Sequence, residues 1–500
     1  MRALLGVSHQ QLAVIAGAGA LAALSLGVLS AREVSVLALS LTVVAVVALT
    51  RTTTVGWDRL IALILVVVLF VPIGRYRLPG SLPFNLELYR VVVALCILVW
   101  VASLLVDSRV RLRSTVFDRP LGLIAACVLA SEITNPARVS AYGAHVIKSL
   151  TFFLSFILVY YLTATTIQRR GQVEMLLKLI TASAAIIGVL AVVELRTHFN
   201  VFDHLHPVLP ILQFQGKLNY LLLGGNLRVF GPSEHPIALG ALLIVIFPLA
   251  VYFARRFGRR WWFAALLILF GAMASGSRTA VTMLIAEAVV FLLLKPNETK
   301  KLWPVVIPLL AVIHFLMPGT IGGFKASFFP KGGLIAQQSA YHADYNPLLA
   351  GGRISLVKPM LSEASGRPLF GEGYGTRISG FTVADRNAPI LDDQWLNNVL
   401  DVGFVGLAAW VWLIARAVRQ LVRASREPDS ADDGWLFVAL AASVTSFAVG
   451  MLTYDAFSYI QVTFIFWFLL GLSAAFLRIS GAWPASNTPT HIDSQGRRLL

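Results

Sequence analysis

Long apolar runs separated by short polar or charged punctuation fill the chain from about residue 10 to residue 478. A bilayer-crossing helix needs about 20 mostly apolar residues. Runs near that length lie at 10–30, 34–50, 59–73, 86–106, 119–133, 145–165, 173–194, 236–254, 261–275, 278–294, 302–317, 395–417, 435–454 and 458–478. The pattern therefore predicts an all-α polytopic membrane protein with about 14 transmembrane helices. The third and ninth runs are short, the fifth ends in SEITNP, and only a few polar residues part the ninth from the tenth. The first run exceeds a signal-peptide core of about 7–15 residues and shows no convincing small-residue cleavage site, so it reads as a span.

Composition supports this picture. Of 500 residues, 57% are apolar and 13% charged, against about 45–50% and about 25% in soluble domains. A soluble enzyme, a disordered chain and a single-pass anchor are excluded. The net charge of +16 fits loops on the cytoplasmic side, which are normally rich in Lys and Arg, and gives no reason to expect nucleic acid. Placing both termini in the cytoplasm puts DSRVRLRSTVFDR, QRRG, RRFGRR and KPNETKK on the inner side. Cys96 and Cys127 both fall in apolar runs, which predicts neither a disulfide framework nor a structural zinc site.

The spans divide the chain into a seven-helix part (1–194), an external loop (195–235), a four-helix segment (236–317), a large external loop (318–394), a three-helix part (395–478) and a loose cytoplasmic tail (479–500). Ordinary connections have a median of about 4–6 residues, so both external loops are too long to be mere connectors. The second, with amphipathic pieces such as ISLVKPMLSEA, predicts a helical extracytoplasmic cap in which Pro359 ends or kinks any helix.

The conspicuous polar groups fall on that same external side. In RVFGPSEHPIALG they are Arg228, Glu234 and His235, and in ASGSRTA Arg278. In the large loop they are His342, Asp344 and Arg353, and in LDDQWLNNVLDVGFVG Asp392, Asp393 and Asp401. Each has an ordinary reading beside the chemical one. Arg278 is either a snorkelling interfacial arginine or an anion site, since guanidinium matches phosphate oxygens with a fixed fork of donors. Ser233 is a candidate for the start of the eighth span, and Glu234 and His235 either cap it or serve an acceptor. Asp392 and Asp393 either cap the twelfth span or supply a general base, for which His342 competes. Two arginines facing one compartment, Arg228 and Arg278, would stabilise a departing diphosphate without metal. No D-x-D motif occurs on the external side, so no metal or other cofactor is expected.

Three blocks together resemble the bacterial O-antigen ligase and polymerase superfamily: RVFGPSEHPIALG; GSRTAVTMLIAEAVVFLLL; and GGRISLVKPMLSEASGRPLFGEGYGTR with LDDQWLNNVLDVGFVGL. The likeness covers roughly residues 228–410. It implies a GT-C-type membrane glycosyltransferase in the bacterial plasma membrane. Such an enzyme moves glycan from a polyprenyl-diphosphate carrier to a glycan or glycolipid hydroxyl on the outer face. It further implies that Arg228, Arg278 and Arg353 hold the diphosphate. Ligases of this family commonly carry histidine–asparagine where Asp392 and Asp393 stand, so the acidic pair is more similar to repeat-unit polymerases than to ligases acting on lipid A core. A flippase for lipid-linked sugar also fits fourteen spans, although no inverted repeat is visible.

Overall fold

The computed structural model describes residues 56–79, 86–107, 110–216, 221–223, 226–302, 353–378, 391–426 and 431–483, with isolated positions at 311–333 and 388. The expected spans at 10–30 and 34–50, and most of the span at 302–317, lie outside these residues, as do His342 and Asp344.

The remaining predicted runs are all helices. In chain order the helices are α1 (Trp57–Phe70), α2 (Leu88–Val106), α3 (Asp118–Thr134), the short α4 (Pro136–Ala141), α5 (Gly143–Thr166) and α6 (Arg170–Thr197). There follow α7 (Pro236–Phe257), α8 (Arg259–Ala274), α9 (Arg278–Leu294), α10 (Arg353–Ser365), α11 (Gln394–Ala424), α12 (Ala431–Gly450) and α13 (Ile460–Ile479). Among the described residues, seven helices are long and apolar enough to cross a membrane. This is the architecture of an all-α membrane protein. By contrast α8, at 16 residues, rises about 24 Å at about 1.5 Å per residue, less than a bilayer core of about 30 Å.

Two helices form the hub. α7 and α13 are apolar on every side, and 89% and 94% of their most apolar windows are buried. A helix without a polar face belongs in the interior, and α7 packs against α6, α8, α9, α12 and α13. Cys96 and Cys127 are buried free thiols.

The helices sort their polar ends into two groups. At one end Arg170 meets Asp433, Arg255 meets Glu298, and Arg256 meets Glu174. These are the segments that the charge pattern of the sequence is expected to gather on one side of a membrane. At the other end of α6 and α7 lie Glu194 and the turn 228–235, joined to Arg75, Asp203 and Gln461.

Three local features go beyond the hydrophobic pattern. The 195–235 segment carries strands as well as loop: β1 (Tyr76–Arg77) pairs antiparallel with β2 (Gln213–Phe214), and β3 (Leu221–Leu223) with β4 (Asn226–Arg228). α10 continues through Pro359 instead of ending there. α11 contains a break at Gly403, with φ +71°, that hydrophobicity did not announce.

That break is satisfied by the glycine-rich segment after α10. The Glu372 N–H donates to the Leu400 carbonyl at 2.8 Å, and the Phe404 N–H to the Pro368 carbonyl at 2.8 Å. Ser131 Oγ donates to the Asp401 carbonyl at 2.5 Å. A Cβ on Gly403 would stand 2.2 Å from the Leu369 carbonyl oxygen, so both φ and the close approach demand glycine. Backbone groups freed from the helix thus find new partners, as burial requires.

Candidate functional site

The turn 228–235 is held from three sides. Arg75 is 1% exposed. It donates through Nη1 to Asp203 Oδ1 at 2.8 Å and through Nη2 to the Gly231 carbonyl. Glu194, 1% exposed, accepts the Gly231 N–H at 2.9 Å and the Phe230 N–H at 3.4 Å. Asn200 Nδ2 donates to the Gly231 carbonyl at 3.0 Å, and Ser233 Oγ bonds Gln461 Oε1 at 2.5 Å. Cation and anion therefore grip opposite polarities of one peptide turn, which fixes Arg228, Glu234 and His235 relative to α7.

Capping of α7 falls to His235, whose Nδ1 accepts the Ile237 N–H at 3.1 Å. Ser233 and Glu234, the other residues expected at this start, do different work. Accepting at Nδ1 requires the neutral ring, and burial, followed by the charge of Arg228, lowers its pKa to about 4. The ordinary capping reading thus describes His235. Glu234 does not cap α7: its Oε2 is buried with no hydrogen-bond partner. Burial, and then the nearby Glu87 carboxylate, push its pKa up to about 8.

The second block docks on the first. Ser277 caps α9 by accepting the Ala280 N–H at 3.4 Å, and Arg278 is the helix's first residue. Arg228 Nε donates to the Ser275 carbonyl at 3.2 Å. A Cβ on Gly240, in α7, would come within 2.7 Å of Ser275 Oγ, so only glycine lets the SGSR turn seat against α7. Arg228 and Arg278 are thereby brought to the same turn, both half-buried.

The third block meets them at Tyr459. Asp393 is the N-cap of α11, accepting the Leu396 N–H at 3.0 Å. Gln394 ties that start to the α12–α13 connection: its N–H donates to the Met451 carbonyl at 2.7 Å, and its Oε1 accepts the Phe457 N–H at 2.8 Å. The connection carries Asp455 and Tyr459. Tyr459 lies 5.6 Å, ring to ring, from His235. Burial raises its phenol pKa, the charges of Asp392, Asp455 and Glu234 add to this, and Arg228 opposes it. One tyrosine thus senses the arginine side and the carboxylate side together.

Arg353 opens α10. That helix packs its Leu356, Met360 and Ala364 on Leu396, Val399 and Leu400 of α11, so the residue belongs to an element on the carboxylate side. Asp401 sits at the break in α11, where its Oδ1 is buried without a hydrogen-bond partner.

Sequence reasoning missed Asp455, Tyr459, Arg75, Asp203 and Glu194. Asp455 lies in a connection of a few residues that reads as an ordinary link. Arg75 stands 128 residues from its partner Asp203, a separation to which no periodicity speaks. The signal available was chemical: an arginine beside a predicted span in GRYRLPG, and a glutamate inside the apolar end of another. Among the described residues no group of three or more His, Cys, Asp or Glu side chains is placed to hold a metal ion.

Compared with protein-family models and with curated protein sequences, the chain matches none. What it does is therefore a question for the chemistry of the site.

Proposed function

We propose that this chain is a membrane glycosyltransferase that moves glycan from a polyprenyl-diphosphate carrier to a sugar hydroxyl. The GT-C-like reading, the outward-facing site and the preference for repeat-unit polymerisation over ligation belong to the same proposal. The observation that carries it is the convergence at Tyr459: Arg228, on the turn it shares with Arg278, and the carboxylates of Asp392 and Asp455 all act electrostatically on that ring. Such a strip offers cations to a leaving diphosphate and a carboxylate to an attacking hydroxyl.

The donor enters from the lipid with its diphosphate on Arg228 and Arg278, and Arg353 joins from α10. The acceptor oxygen attacks the anomeric carbon from the face opposite the diphosphate, which leaves with the bonding pair. Charge grows on the leaving group as that bond breaks, so the arginines bind the transition state more strongly than the ground state. Seated on α7 by Gly240 and capped by Ser277, they are pre-organised for this.

Arg278→Ala in purified protein is expected to slow transfer roughly a hundredfold to a thousandfold, the loss of about 2.7–4 kcal/mol of charge stabilisation. Near-normal transfer by that variant defeats the diphosphate assignment. In cells lacking the protein, single repeat units accumulating on the carrier identify a polymerase, and long stranded chains a ligase. Units held on the inner leaflet identify a flippase and defeat the reading as a whole.

A further inference from the structure

We propose that Asp455, in the connection between α12 and α13, takes the proton from the acceptor hydroxyl. This rests on the transferase reading. Of the two aspartates before α11, Asp393 is committed to capping, its carboxylate holding a backbone amide. Asp455 is half-buried rather than sealed, so a hydroxyl from the membrane surface can reach it.

Its carboxylate is oriented, not loose. Ser458 Oγ donates to Oδ2, and the Asn397 side chain donates from the first turn of α11. The connection itself is pinned by the two Gln394 hydrogen bonds and by Thr453 Oγ1, which donates to Thr279 Oγ1 of α9 at 3.0 Å. The last contact ties Asp455's segment to the helix that Arg278 begins.

Among the described residues, the groups that act electrostatically on Asp455 or feel its charge include Asp392 before α11, Tyr454 after α12, Tyr459 before α13, Tyr374 of the glycine-rich segment, and Asp401 at the α11 break, each an acid or a phenol. Burial, then the charge of Asp392, push the Asp455 carboxyl up to about 6. A base works best with a pKa close to the operating pH.

The step balances. The acceptor O–H bond breaks and its proton passes to Asp455. The freed oxygen pair forms the bond to the anomeric carbon, and the carbon–oxygen bond to the diphosphate breaks with its pair leaving on the carrier. Protonated Asp455 then returns its proton to water.

The test uses purified full-length protein and, as donor probe, the lipid-linked glycan extracted from cells that lack it, with transfer rates followed from about pH 5 to about pH 9. Wild type is expected to lose rate as pH falls through an acid limb. Asp455→Asn is expected to lose about a hundredfold or more. Asp392→Asn is expected to be slowed far less and to carry its acid limb at lower pH, because one negative neighbour is gone. Asp455→Asn within about threefold of wild type overturns the assignment, as does loss of transfer in Asp392→Asn with only a shifted limb in Asp455→Asn. If Asp455→Asn does not survive purification, Asp455→Glu decides: a displaced limb supports the assignment and an unmoved one overturns it. Absence of transfer by wild type defeats the transferase reading, and the inference with it.

Discussion

The two polar ends of the helix bundle handle charge in opposite ways. At the Arg170 end, charges meet as side-chain pairs with at least one partner open to water: Arg170 is 44% exposed where it meets the buried Asp433, and Arg255 and Glu298 are 38% and 30% exposed where they meet. At the Arg228 end, Arg75 and Glu194 are each 1% exposed and are directed largely at backbone groups of one turn. Exposed pairs are worth at most about 1 kcal/mol, whereas a charge removed from water costs several kcal/mol unless fully satisfied. The first end is a surface finished with ion pairs. At the second, stability is given up to hold one turn in one place, as a site with a fixed geometry requires.

The comparison breaks most visibly at Arg75. Arg75→Ala leaves Asp203 buried without its cation and is expected to cost about 3–5 kcal/mol, read as a large fall in the thermal unfolding midpoint in detergent. An unchanged midpoint would place both ends in the same energetic class.

Gly403→Ala comes next. A side chain at φ +71°, 2.2 Å from a carbonyl oxygen, is expected to cost about 1–3 kcal/mol and to open residues 366–376 to limited proteolysis.

A pH series sharpens the contrast further. With its pKa moved from the ordinary 4.5 to about 8, folded Glu234 keeps a proton that the unfolded chain has lost between those values. Stability contributed by that proton is complete below about 4.5 and falls as pH rises towards 8. Glu234→Gln is expected to flatten this decline and to be the more stable protein at pH 8; equal slopes would remove Glu234 from the account.

The smallest effect belongs to the Arg170 end. Glu298→Ala, which opens the exposed pair with Arg255, is expected to change stability by less than about 1 kcal/mol, and raising the salt concentration to shrink even that.

Much of the frame is legible in the sequence alone. The helices from Pro236 to Leu294 and from Gln394 to Ile479 follow the apolar runs closely, because length and hydrophobicity are local properties. Capping residues are legible as a class, but their assignment is not. Ser233, a good cap by type, is diverted to Gln461, and His235 takes the position. The chemistry of the three blocks is visible in their residues; their convergence is not, since it depends on Gly240 admitting the SGSR turn and on Gln394 reaching the α12–α13 connection. Pro359 does not end α10, which runs on for six more residues despite the missing N–H.

The break at Gly403 bears on how this protein can be recombined with others. The first turns of α11 and the segment 366–376 exchange backbone hydrogen bonds across the break, so neither is whole alone. A chimera that imports a foreign large loop up to the start of α11 would strand the Leu400 carbonyl and the Phe404 amide inside the protein. The workable seam lies beyond Val405, and the transplantable unit is the loop together with the opening turns of the helix it repairs.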